Sequence, residues 1–151
     1  MRVLIILVLG WILLSQVFLV TQAHGNEMFP AVKDGDLVIA YRLQNEYLKN
    51  DLVVYTVDGE RKIGRILGRE TDIIMMDDSG SLTVNGTTQA GEILYPTYAK
   101  EGIDYPYTVP ADSVFVLCDY RTNGRDSRDF EAIPMRNVEG KVITILRRRG
   151  L

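Results

Sequence analysis

Between Arg2 and Glu27 the chain has no charged side chain, and the run from Val3 to Ala23 is mostly apolar, with Ile5, Leu7, Trp11, Leu13, Phe18 and Val20 among its members. A helix needs roughly 20 residues to cross the hydrocarbon core of a bilayer. The run therefore predicts a transmembrane anchor over residues 1–23 and leaves 24–151 as a separate domain. A cleaved secretory signal is the rival, because Thr21-Gln22-Ala23 ends on a small residue that a processing enzyme accepts. The apolar stretch exceeds the roughly 15 residues of such signals, which favours a retained anchor. Arg2 and the amino terminus orient the span with its N-terminus in the cytoplasm and the domain outside.

A chain of 151 residues, 46% of them hydrophobic, supports one domain with a real core. Taking Arg2 out of the 17 basic residues leaves 16 against 20 acidic ones, so residues 24–151 carry a formal charge of −4. That sign argues against a nucleic-acid partner. The one basic cluster, Arg147-Arg148-Arg149, reads as a solvated tail in preference to a contact for anionic polymers or lipid. Cys118 is the only cysteine, which rules out an intrachain disulfide and suits a small buried apolar role. No metal or cofactor is expected.

From Leu37 onward short β-rich runs alternate with turn residues and no long segment shows helical periodicity, so the domain is expected to be mainly β. Residues 37–41, 51–57, 61–67, 73–76, 81–84, 114–117 and 141–146 are the predicted strands. Asp58-Gly59 and Asn85-Gly86 suit tight hairpins, because these residue types tolerate positive φ. Tyr95 to Pro110, with three prolines and four tyrosines, reads as an extended surface connector.

Directly after the anchor come Gly25-Asn26-Glu27-Met28-Phe29-Pro30 and Lys33-Asp34-Gly35-Asp36-Leu37-Val38. This stretch resembles the first signature of type I signal peptidases, in which a nucleophilic serine stands where this chain has Glu27. Asp51-Leu52-Val53-Val54-Tyr55 is similar to the family's second strand motif. Arg65-Ile66-Leu67-Gly68 is similar to the segment that carries its catalytic lysine, and the lysine position falls on Gly64. Leu82-Thr83-Val84-Asn85-Gly86 resembles a further hairpin of the family. Asp119, Arg121, Asn123, Asp126, Ser127 and Arg128 match its last signature, with Cys118, Tyr120 and Gly124 replacing a glycine, an asparagine and a serine. The ordered series covers residues 25 to about 142 and is far more specific than any one motif.

The resemblance implies a signal-peptidase-like fold of twisted antiparallel sheets, a peptide cleft framed by Met28, Pro30, Leu52, Val53 and Tyr55, and structural ion pairs among Arg65, Asp119, Asp126 and Arg128. It also implies a serine hydroxyl activated by a neutral lysine amine, and here three members of that chemistry are replaced. A carboxylate at 27 is a poor acyl acceptor and places negative charge where an oxyanion must be stabilised. Gly64 offers no base, and Gly124 lacks the hydroxyl that positions the lysine. Lys62 lies two residues away on the same strand face, about 7 Å along the sheet. It reads as an exposed lysine or as a partner of Glu27 in preference to a catalytic base. His24 reads as an interfacial residue beside the anchor. A shared-proton pairing of Glu27 with Asp119 or Asp126 is disfavoured, because both aspartates have arginine partners in the pattern.

On these grounds the chain is expected to be a non-catalytic signal peptidase homologue. Similar signal-peptidase-like proteins occur in Gram-positive bacteria, encoded beside pilins and sortases, and the resemblance implies a chaperone-like role in pilus assembly at the outer face of the membrane. A pilin or other secreted protein is then the expected partner, with a sortase as a further candidate. The alternative is an active signal peptidase with a displaced catalytic set.

Overall fold

Asp58 and Gly59 adopt φ of 51° and 79°, and this tight turn folds β3 (Leu52–Val57) back onto β4 (Glu60–Arg69), pairing Val57 with Glu60 and continuing to Leu52 with Arg65. The hairpin lies inside a seven-stranded antiparallel sheet of a computed structural model that describes residues 1–89 and 95–147. The sheet also contains β1 (Phe18–Gln22), β2 (Leu37–Tyr41), β9 (Ser113–Leu117), β10 (Ile133–Pro134) and β11 (Val138–Leu146), in the order β1-β2-β11-β3-β4-β9-β10. A second antiparallel sheet, ordered β7-β6-β5-β8, is built from β5 (Ile73–Met76), β6 (Leu82–Val84), β7 (Thr87–Thr88) and β8 (Tyr107–Thr108). Asn85-Gly86 makes its tight turn with φ of 52° and 77°. The expected mainly β architecture is what the chain adopts.

Period-2 alternation sends neighbouring residues of one strand into different cores. Val54 packs with Met28, Val32, Val38, Ala40 and Cys118, whereas Val53 and Tyr55 pack with Ile66, Val114 and Val116. Phe115 and Leu117 of β9 turn the other way, against Ile74, Met76 and Leu82 of the small sheet. Strands β3 and β9 are therefore buried on both faces, which explains their continuous apolar sequences.

The N-terminal run departs from expectation. Helix α1 spans Arg2–Val17, 16 residues, and buries none of them. At about 1.5 Å per residue that is roughly 24 Å, short of the roughly 30 Å hydrocarbon core. No helix among the described residues is long and apolar enough to cross a membrane. The helix stops because Phe18–Gln22 are taken up as β1, paired with β2 from Phe18↔Tyr41 to Gln22↔Leu37. Ala23 continues this pairing, donating to the Asp36 carbonyl (2.8 Å) and accepting from the Gly35 N–H (2.9 Å). It is buried, so the small residue of the rival signal reading is built into the folded sheet.

The surface connector is also more ordered than expected: Thr97 and Val109 are buried within it and Tyr107–Thr108 pair with β5. Of the C-terminal basic cluster, Arg147 is exposed, and Arg148 and Arg149 lie outside the described residues.

The four ion-pair residues form two separate pairs. Arg65 grips Asp119 bidentately at 2.7 and 2.6 Å. Arg128 grips Asp126 at 2.9 and 2.8 Å with both side chains withdrawn from solvent. Asp126 also caps the short helix α2 (Ser127–Phe130) and accepts from the Cys118 N–H at 3.0 Å, while Arg128 donates to the Arg121 and Tyr98 carbonyls. Removing one charge of such a pair strands the other without water. Arg128→Ala is expected to cost about 3–5 kcal/mol in a urea titration of the full chain in detergent; a cost below about 1 kcal/mol would show the pair to be dispensable.

Candidate functional site

A groove of about 380 Å³ opens between the end of β1 and the start of β4. One wall is formed by residues from Thr21 to Gly25 and the other by Glu60 to Ile63, with Glu27, Met28 and Val32 between them. Both walls are strand edges without a partner among the described residues. Strand β1 pairs only with β2, and β9 covers β4 only from Arg65 onward, leaving residues 60–64 paired on the β3 side alone. Antiparallel pairing uses alternate residues. Ala23 turns both peptide groups toward β2, so those of Gln22 face the open side.

Of the five residues expected to frame the cleft, only Met28 lines the groove. Val53 and Tyr55 are fully buried in the second core, Leu52 packs against the first, and Pro30 is exposed. The reason is topological: β3 lies between β11 and β4 with both edges occupied, so it has none to offer. His24 lies in the groove wall, seven residues beyond the end of α1.

The Glu27 carboxylate lies in this groove, 3.5 Å from the Lys62 ammonium and 3.4 Å from the Arg125 N–H. Lys62 stands opposite Tyr55 in the β3–β4 register, and its side chain is only 15% exposed. Of the two structural readings open to Lys62, the structure realises the partner of Glu27. Neither Asp119 nor Asp126 hydrogen-bonds to Glu27; their arginines hold them elsewhere. Arg61, on the same wall, is held by Glu139 at 3.0 and 2.8 Å, and this hydrogen-bonded guanidinium, with Thr56, keeps the Glu139 carboxyl below its usual range.

Gly64 and Gly124 have closed surroundings. A Cβ on Gly64 would meet Val116 Cγ1 at 2.3 Å and Tyr55 Cε1 at 3.1 Å, and one on Gly124 would meet Cys118 Sγ at 2.8 Å and Glu27 Cβ at 3.3 Å. Neither glycine has positive φ, so close approach explains them where conformational freedom does not. The Tyr55 hydroxyl is buried without a hydrogen-bond partner, and burial pushes its pKa up. Sequence reasoning missed Lys100, whose ammonium bonds the Gly124 carbonyl and Asp129 at 2.7 Å each. It comes from the connector, 24 residues away in sequence from Gly124, and no motif there signals the contact.

Residues 1–146 match the family described as signal peptidase, peptidase S26. A probable thylakoidal processing peptidase 2 of Arabidopsis thaliana is 31% identical over 134 residues, covering 78% of this chain and 35% of that protein. The mitochondrial ATP-independent inner membrane protease subunit 1b of the same plant is 28% identical over 128 residues, covering 80% of this chain and 65% of its own length. The chain thus spans between about a third and two thirds of these relatives. A signal peptidase I structure from Enterococcus faecalis V583 superposes with a TM-score of 0.53 over 66% of this chain and 98% of that one; at 24% identity the likeness concerns the fold.

Because Val116 is β-branched and stiff, Gly64→Ala is expected to destabilise by about 1–3 kcal/mol through overpacking. Tyr55→Phe removes only an unpartnered hydroxyl and is expected to be neutral or stabilising by up to about 1 kcal/mol. Denaturant titrations of the two variants check both; a destabilising Tyr55→Phe would reveal a partner for the hydroxyl.

Proposed function

The chain belongs to the signal peptidase family, peptidase S26, and on that premise we propose that it holds an extended polypeptide in its groove without cutting it. The observation that carries this reading is Glu27: a carboxylate paired with Lys62 at 3.5 Å stands where the resembled motif has its nucleophile. An ion pair offers a guest peptide carboxylate acceptors and ammonium donors, whereas it offers a carbonyl carbon no activated hydroxyl. The groove wall contains a single hydroxyl, that of Thr21, and it makes no hydrogen bond to Lys62 or His24 among the described residues. The two open strand edges supply main-chain pairing for a strand added between them.

Helix α1, apolar on every side and buried on none, suits lipid better than water and would keep the groove close to a membrane. We place the domain on the outer face and take the guest to be a pilin or another secreted protein, with a sortase as a further candidate partner. The relatives' names, processing peptidase and protease, favour a second reading, an active signal peptidase with Lys62 as a displaced base.

One experiment separates the two. The full chain in detergent is incubated with a secretory preprotein beside an active signal peptidase, and binding of a fluorescent extended peptide from the same preprotein is followed by anisotropy. The holding function predicts no cleavage, with binding weakened about tenfold, or about 1.4 kcal/mol, by Glu27→Ala or Lys62→Met. Cleavage that disappears in Lys62→Met would establish the peptidase instead.

A further inference from the structure

The segment from Cys118 to Asp126 wraps around Glu27. The Tyr120 N–H donates to the Glu27 carbonyl at 2.9 Å and the Arg125 N–H to its carboxylate at 3.4 Å. Both ends of the segment are tied down: the Cys118 N–H donates to Asp126, and the Gly124 carbonyl accepts from Lys100. Inside the wrap lies the Cys118 thiol, fully buried, 3.6 Å from the Arg125 carbonyl. Burial pushes its pKa up, with the nearby Asp126 and Glu27 carboxylates adding to the effect, so it packs as a neutral group.

The room is counted in tenths of an ångström. A Cβ at position 124 would fall 2.8 Å from the sulfur and 3.0 Å from Cys118 Cβ, closer than carbon and sulfur atoms approach without displacement. Its next neighbour would be Glu27 Cβ at 3.3 Å. Gly124 has no positive φ that calls for glycine, so what excludes a side chain is the space already taken by Cys118 and Glu27.

We infer that Cys118 is a positioning residue for Glu27: its thiol fills the inside of the wrap, makes a bare Gly124 obligatory, and so lets the segment close until the Arg125 N–H reaches the carboxylate. Positions 118 and 124 then act as one volume, and a change at either reaches Glu27 through Arg125. This coupling holds whether the groove retains or cuts its guest.

The test is a double-mutant cycle on the full chain in micelles, with Gly124→Ser, Cys118→Gly and the double variant. Amide exchange is read at Arg125, beside the Thr71 amide, which bonds the Val109 carbonyl, as a reference outside the segment. Gly124→Ser is expected to speed Arg125 exchange about tenfold relative to Thr71, and the added Cys118→Gly to restore most of the protection. The milder pair Gly124→Ala and Cys118→Ala gives the same cycle should the serine variant not fold. Additive effects in either cycle, or Arg125 exchange unmoved while Thr71 changes, would overturn the inference.

Discussion

Arg128 and Asp126 have been removed from water together, and the segment around Glu27 takes its shape from their pairing. Each charge would be costly alone at that depth, and each has its remaining valences filled: Asp126 by the Cys118 and Arg128 backbone N–H groups, Arg128 by the Arg121 and Tyr98 carbonyls. These contacts join the end of β9, helix α2 and the connector that carries Tyr98 and Lys100. The loop that bonds Glu27 is suspended between them. Its geometry is inherited from a buried electrostatic joint that does not itself touch the groove.

On that frame sit the two open walls of the groove. The open edges of β1 and β4 are main-chain features and tolerate any side chain that preserves the strands. The side chains at 27, 62, 64 and 124 are not independent of their surroundings: Val116 and Tyr55 crowd position 64, and Cys118 crowds position 124. Positions at which small residues are enforced by filled space resist enlargement one at a time, because each added side chain must displace a neighbour.

Much of this was legible in the sequence. Period-2 patterning and the Asp58-Gly59 and Asn85-Gly86 turns located the main strands, and the motif order singled out Glu27, Gly64 and Gly124. The resemblance together with strand parity left Lys62 readable as an exposed lysine or as a partner of Glu27, and the structure realises the second. Three features were not legible, each for a physical reason. Phe18–Val20 continues the apolar run of the helix before it, so composition cannot tell a lipid-facing turn from a strand whose Leu19 enters the core. Leu52, Val53 and Tyr55 were expected in the cleft from the resemblance, but a central strand buries both faces. Lys100 and Arg61 find their partners, Asp129 and Glu139, across 29 and 78 residues, and no local pattern encodes such distances.

Strand β4 is two-sided from Arg65 onward and one-sided before it. That asymmetry makes the strand a ruler. A polypeptide laid against its free edge meets β9 at Arg65 and must leave the sheet there, so the edge presents five residues, Glu60 to Gly64, or roughly 17 Å of extended chain. The end stop is built from backbone pairing, and it sets a length for whatever occupies the groove irrespective of that occupant's sequence.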